Sequence, residues 1–268
     1  MTRIEFLKLS LIAGMDMNYE TITFEKPETG IGLLTLNRPA SYNALNEAMI
    51  LELEDFWRER LYDSSTRVII LSGGGAKGFC AGLDMKYVGQ MAPTWDMEKF
   101  YIFQARFARL NLAMRRCPQP IICCVHGAAA GQGFSFTLSS DIRVVSPDAK
   151  FCAAYINIGL GGADMSCSYF LPRLIGAGRA YEIMYTGEYY PAEEMNRLGL
   201  ISRIVEKDKL IETAMGFAST MMKKNHLALR FTKEAINMNI DAPGLEHALQ
   251  MEDRNQTLLG MGIFMKKG

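Results

Sequence analysis

Two textures divide this chain: through about residue 156 its apolar residues fall in short compact runs between turn formers, and beyond it they recur at helical spacing. Residues 19–26 (YETITFEK) and 31–37 (IGLLTLN) read as two strands, with 28–30 (ETG) as the turn of a hairpin that Pro39 ends. Leu51, Leu53, Phe56, Trp57 and Leu61 then repeat at helical spacing behind a cap supplied by Asn43 or Asn46, which puts Trp57 in the core. Residues 67–73 (RVIILSG) are a buried strand. Phe100, Ile102, Phe103, Phe107, Leu110 and Leu112 predict a helix with a broad packed face over 97–114, stopped at Cys117, Pro118, Gln119 and Pro120. Ile121–Val125 (IICCV) is the next strand, and 142–146 and 150–154 are two more. This recurring order of strand, glycine-bearing loop, helix and strand predicts helices packed against a sheet, an α/β fold, rather than a sandwich.

In the second texture, Pro191 is placed for the first turn of a helix and 201–205 (ISRIV) is the last core strand. Residues 207–224, 226–238 and 244–260 predict three helices, whose many methionines suit adaptable packing and contact between subunits. The division expected is a tail over 1–18, a core over 19–205 and a helical region over 206–268. The tail is mildly apolar with little basic character, and reads as a flexible or partner-packed segment rather than a targeting sequence.

Composition narrows the function classes. Apolar residues make up 49% and charged residues 22%, enough for a sizeable core and against wholesale disorder. Lys plus Arg balances Asp plus Glu, 29 against 29, so no basic stripe points to nucleic acid. No uninterrupted apolar run of about 18 residues predicts a membrane span. Cys80, Cys117, Cys123, Cys124, Cys152 and Cys167 show no CxxC spacing, and the adjacent Cys123 and Cys124 must face opposite sides of their strand. They read as reduced, buried thiols of a cytoplasmic protein. His126, His226 and His247 are too scattered to suggest a metal site.

Candidate chemistry lies in two loops that leave strands in the same sense. Residues 127–141 (GAAAGQGFSFTLSSD) begin with seven residues that carry almost no side chain and then enter a helix. First-turn amides have no partner inside a helix and can hold developing negative charge; close helix packing or a tight turn would use the same residues. Residues 79–86 (FCAGLDMK) follow the strand at 67–71, in the crevice where open α/β layers usually bind ligands. One amide from each loop could converge on a carbonyl oxygen and stabilise an enolate or tetrahedral oxyanion. Neither loop is GxGxxG or GxxxxGK[ST], so a dinucleotide or nucleoside triphosphate is not indicated.

Taken together, NRPASYNALN (37–46), KGFCAGLDMK (77–86), HGAAAGQGFSFTLSSDIRV (126–144), FLPRLIG (170–176) and GEYYPAEEMNRLGLISRIV (187–205) resemble the enoyl-CoA hydratase/isomerase, or crotonase, superfamily. The resemblance implies a spiral of repeated β-β-α units with a helical C-terminal region. It also implies an acyl-CoA substrate that brings its own coenzyme A, no metal or redox cofactor, and a homotrimer or dimer of trimers. Family members hold the thioester carbonyl between two backbone N–H groups, which correspond here to Leu83 and Gln132, the latter where glycine is usual. Hydratases commonly carry glutamates where this chain has Ser135 and Tyr155, so ordinary two-glutamate hydration is not implied. Asp164, within 156–169, is the compensating carboxylate, expected to assist proton transfer in isomerisation or a modified hydration. The same segment resembles 4-chlorobenzoyl-CoA dehalogenase, which would make Asp164 a nucleophile; an acyl-CoA-binding or assembly protein without catalysis is the third reading. Met85, Tyr87, Val88, Phe134, Ser135 and Tyr155 are expected around the acyl pocket, and Arg38, Lys77, Lys86 and Lys233 at the CoA. Asp84 and Asp141 are expected to brace loops, and His126 to support the glycine-rich turn.

Overall fold

The computed structural model describes residues 19–264, so the tail expected over 1–18 lies outside it. A hairpin opens the described chain: β1 (Ile22–Glu28) pairs antiparallel with β2 (Ile31–Leu36). β1 begins later than the sequence suggests because α1 (Glu47–Arg60) captures the residues before it. The Glu52 carboxylate accepts the amides of Glu20 at 2.8 Å, Thr21 at 2.9 Å and Ile22 at 3.2 Å. Of the two candidate caps it is Asn46 that starts α1, its side chain accepting Met49 N at 3.1 Å. Asn43 instead takes a left-handed backbone, and its buried amide donates to the carbonyls of Gly74, Gly78 and Phe79 at 3.0, 3.1 and 3.1 Å. Met49, Ile50, Leu53, Phe56 and Trp57 are the buried face of α1, while Leu51 points to solvent.

In chain order there follow β3 (Val68–Gly73), α2 (Met85–Met91), α3 (Met97–Arg116), β4 (Ile121–Val125), β5 (Ala128–Ala130), α4 (Gln132–Ser139), β6 (Ile142–Val145) and β7 (Lys150–Cys152). Then come α5 (Cys167–Ile175), α6 (Ala177–Thr186), β8 (Tyr190–Pro191), α7 (Ala192–Arg197), β9 (Arg203–Ile204), α8 (Leu210–Met222), α9 (His226–Asn239) and α10 (Leu245–Phe264). The main sheet runs β1-β2-β3-β4-β6-β9 and is parallel from β2 onward; β5, β7 and β8 form a second, smaller sheet. From β4 to β7 successive strands alternate between the two sheets, β4 and β6 going to the large one and β5 and β7 to the small. The result is the expected α/β spiral of β-β-α units, with helices α8 to α10 closing the chain.

Both faces of the main sheet are covered, which is why β3 and β4 read as continuous apolar runs. Leu36, Leu71, Cys123 and Val125 share a core with Phe56, Trp57, Phe107 and Phe134. Ile70, Ile122, Cys124 and Val144 pack on Leu210, Ala214 and Ala218 of α8, so Cys123 and Cys124 do face opposite ways. Three further details depart from the sequence reading. β5 was not foreseen, Pro191 sits in extended backbone just before α7, and α3 buries Phe103, Phe107 and Leu110 but leaves Phe100, Ile102 and Leu112 at the surface. Among the described residues, no helix is long and apolar enough to cross a membrane.

Candidate active site

Residues 78–83 are threaded between two other segments. On one side Ala81 N donates to Tyr42 O (3.0 Å), Leu45 N to Gly82 O (2.7 Å) and Asp84 N to Leu45 O (3.0 Å). On the other, Cys80 N donates to Ala128 O (3.1 Å) and Ala130 N to Cys80 O (3.0 Å), which extends the small sheet through β5 into the loop. Backbones approach this closely only because side chains are missing. A Cβ on Gly133 would lie 2.1 Å from Cys80 O, and one on Gly82 would lie 2.8 Å from Ala130 O and 3.2 Å from Gln132 N. The two loops expected to converge are therefore in backbone contact. Neither Leu83 N nor Gln132 N donates to any group among the described residues. Gln132 N is also a first-turn amide of α4, where the helix dipole favours negative charge.

Every residue of α4 is buried, and its far end is held by a buried cation. Arg143 donates to the carbonyls of Leu200 (2.6 Å), Ser140 (2.7 Å) and Thr137 (3.1 Å), meeting the helix C-terminus with positive charge. Burial lowers the Arg143 pKa from its usual value.

Ser135 and Tyr155 meet each other beneath this turn. Their oxygens are 2.5 Å apart, and the Tyr155 hydroxyl donates to Gly131 O at 2.8 Å. Tyr155 is only 4% exposed, and burial pushes its phenol well above the ordinary range, with the nearby Cys167 thiol and Asp164 carboxylate adding to the rise against the Ser135 hydrogen bond. Neither hydroxyl is free to act as a base.

Asp164 stands half-buried at the start of a strained turn, since Met165 and Ser166 both have positive φ, +46° and +72°. Its carboxylate accepts Met165 N at 2.7 Å and the Gln104 side-chain amide at 2.8 and 2.9 Å. A second chain of amides ties this turn to α4: Gln132 Nε2 donates to Asn111 Oδ1 (2.9 Å), and Asn111 Nδ2 donates to Met165 O (2.9 Å). The structure thus brings Leu83, Gln132, Ser135, Tyr155 and Asp164 into one connected region. Sequence reasoning missed Gln104 and Asn111. Their spacing of two helical turns on α3, bracketing Phe107 and Leu110, is the signal that puts two amides beside a buried apolar face.

The other expected residues divide. Met85 is exposed, Val88 is half-buried, and the Tyr87 hydroxyl donates to Glu47 at 2.5 Å, with its pKa raised to about 12 by burial and that carboxylate. Phe134 has no surface to offer a pocket, because its ring is fully buried 5.7 Å from that of Phe151. Lys86 is exposed on α2, and Lys77 is exposed with its ammonium 5.0 Å above the Tyr42 ring. Arg38 pairs with Asp84 at 3.0 Å, and Asp84 in turn caps α2 by accepting the amides of Lys86 (3.1 Å) and Tyr87 (3.2 Å). Lys233 is buried and not presented to a ligand: its ammonium donates to Asp141 (2.9 Å), Gln119 O (2.9 Å) and Met114 O (3.2 Å). Asp141 is the loop brace expected, since it also pairs with Arg115 and accepts Ile121 N, each at 2.8 Å. A cleft of about 570 Å³ between α9 and α10, lined by Phe231, Ile236, Glu252 and Leu259, contains none of these groups.

A family model described as enoyl-CoA hydratase/isomerase matches residues 26–267. A "probable enoyl-CoA hydratase" of Mycobacterium bovis is 35% identical over 253 residues, covering 92% of this chain and 87% of that protein. The 1,2-epoxyphenylacetyl-CoA isomerase of Escherichia coli is 32% identical, covering 90% of this chain and 91% of its own. The crystal structure of an enoyl-CoA hydratase from Bacillus anthracis superposes with a TM-score of 0.83 at 29% identity, over 92% of this chain and 97% of that one. The chain belongs to the enoyl-CoA hydratase/isomerase family, and is a crotonase-type enzyme of acyl-CoA substrates.

Proposed function

We propose that this enzyme moves the carbon–carbon double bond of an unsaturated acyl-CoA, with Asp164 as its one proton carrier. The thioester oxygen sits between Leu83 N and Gln132 N. The Asp164 carboxylate takes a proton from Cα or Cγ, the electron pair delocalises onto that oxygen as a dienolate, and the proton returns at the other carbon. No water is consumed. The observation that carries this reading is the hydrogen-bonded pair of Ser135 and Tyr155: both hydroxyls are engaged with each other and with Gly131 O, where hydration would need groups free to activate water. Arg38, Lys77 and Lys86 are the proposed CoA contacts, with Met85, Tyr87 and Val88 along the acyl chain.

The test offers the enzyme short 3-enoyl- and 2-enoyl-CoA thioesters in D₂O and follows product and deuterium by mass. Isomerised product is expected as the main species, and Asp164→Asn should lower kcat about 1,000-fold while leaving thioester binding in place. Unchanged turnover in that variant, or a hydroxyacyl product in excess, sinks the reading; binding with no exchange at all would mark a non-catalytic module.

Two further points belong to the same proposal. Exposed Phe100, Ile102 and Leu112 on α3 support assembly as a homotrimer or a dimer of trimers, so light scattering should give a multiple of three times the 30.0 kDa chain; a monomer refutes it. Six buried, unpaired cysteines support a reducing, cytoplasmic setting, and titration of the freshly denatured cellular protein should find all six thiols free.

A further inference from the structure

Gly131 O and Gln132 N belong to one peptide unit. In a planar trans peptide the carbonyl and the N–H point in opposite directions, so whatever fixes the carbonyl also aims the N–H. The plane needs such a hold, because Gly131 lies at φ +52°, ψ −121°, a conformation that only glycine adopts at low cost and one that leaves the adjoining peptide torsionally soft. One short segment reaches both sides of the glycine: Cys152 O accepts Gly131 N at 3.0 Å, which fixes the preceding peptide, and the Tyr155 hydroxyl donates to Gly131 O at 2.8 Å, which holds this plane itself. The same carbonyl also accepts Ser135 N at 3.0 Å. A phenol has one proton, and here it goes to the carbonyl, so across the 2.5 Å contact Ser135 donates and Tyr155 accepts. The hydrogen bonds therefore run one way, from Ser135 to Tyr155 to Gly131, and each polarises the next.

We infer that Tyr155 is a positioning residue for the Gln132 N–H, acting through the Gly131 carbonyl with Ser135 as its support; the inference rests on the proposed use of that N–H to hold the thioester oxygen. Two hydroxyls at the places where hydratases commonly carry carboxylates thus have a task of their own, which is to aim a main-chain donor.

The experiment uses the full-length enzyme and cinnamoyl-CoA, whose conjugated absorption moves to longer wavelength when its carbonyl is polarised. With wild type, binding should give a red shift. Tyr155→Phe should lose more than half of that shift with less than a threefold change in Kd, and its kcat on the enoyl-CoA substrate should fall about tenfold, part of the 10²–10³ that a whole oxyanion donor supplies. Ser135→Ala should cost two- to threefold alone and nothing further in the Tyr155→Phe background, because Ser135 acts only through Tyr155. Asp164→Asn should keep the full shift. A Tyr155→Phe enzyme that lowers the melting temperature but keeps the wild-type shift, or a Ser135→Ala effect that is additive, overturns the inference. Wild-type binding with no shift instead overturns the thioester-oxygen reading itself, and this inference with it.

Discussion

The two sides of the proposed oxyanion site are built in opposite ways. On the Gln132 side, all of α4 is buried, its carbonyls are gathered by Arg143, the carbonyl of its first peptide is held by Tyr155, and even the Gln132 side chain is tied to Asn111. On the Leu83 side, the loop itself is bracketed by Leu45, but the α2 that follows buries none of its residues and is held by the Asp84 cap, the Arg38–Asp84 pair and the Tyr87–Glu47 hydrogen bond. Segments with few buried contacts open locally at low free energy. The proposed site would therefore pair a donor on a wholly buried helix with a donor that is pinned to Leu45 but leads straight into an exposed helix, and it is that helix which could yield to a long thioester while both donors keep their places.

The largest effect expected is from Gly133→Ala, which drives a methyl into Cys80 O. We expect a cost of about 3 kcal/mol or more and a melting temperature lower by about 10 °C, read by calorimetry; an unmoved melt would show slack where the core side is described as rigid. Arg143→Met comes next, stranding three buried carbonyls for about 2 kcal/mol, measured by urea unfolding. Asp84→Ala should cost only about 1 kcal/mol yet raise KM several-fold, with kcat within twofold of wild type. The contrast between the two sides collapses if Asp84→Ala destabilises more than Arg143→Met.

The smallest effect is a pH dependence. A phenol whose folded pKa lies above its unfolded value of about 10 contributes stability that is complete below pH 10 and is lost as pH rises toward the folded value. Tyr155 on the core side is raised well above that range, and Tyr87 on the wall to about 12. Unfolding free energies at pH 8, 9.5 and 10.5 should fall with pH in wild type, and fall less steeply and by about the same amount in Tyr155→Phe and Tyr87→Phe, because both folded phenols stay protonated across this range. A variant whose slope matches wild type would show that its phenol is not raised in the folded protein.

How far the sequence could be read follows the same division. Phe56, Trp57 and the β3 and β4 runs were legible because apolar spacing is local. β5 was not: three alanines carry no alternation, and their partners are Cys80 and β7, far away in the chain. Leu83, Gln132 and Asp164 came from resemblance rather than from periodicity, and the structure adds why Gly82 and Gly133 beside the two amides leave no room for a side chain. Lys233 and Phe134 were misplaced for one reason: a side chain's type does not reveal whether it finishes in a salt bridge or in an aromatic contact inside the core. Asn43 looked like a cap and became a hub, since its left-handed backbone depends on three carbonyls from another loop.

Leu83 and Gln132 would contribute through their main chains, and this has a consequence for how such an enzyme can change. Short of proline, a codon change at either position leaves the N–H in place, so the hardest part of the chemistry is shielded from ordinary mutation. Acids, bases and pocket walls around it remain free to vary one at a time, and a lineage can try new acyl-CoA reactions without first rebuilding the apparatus that tolerates an enolate.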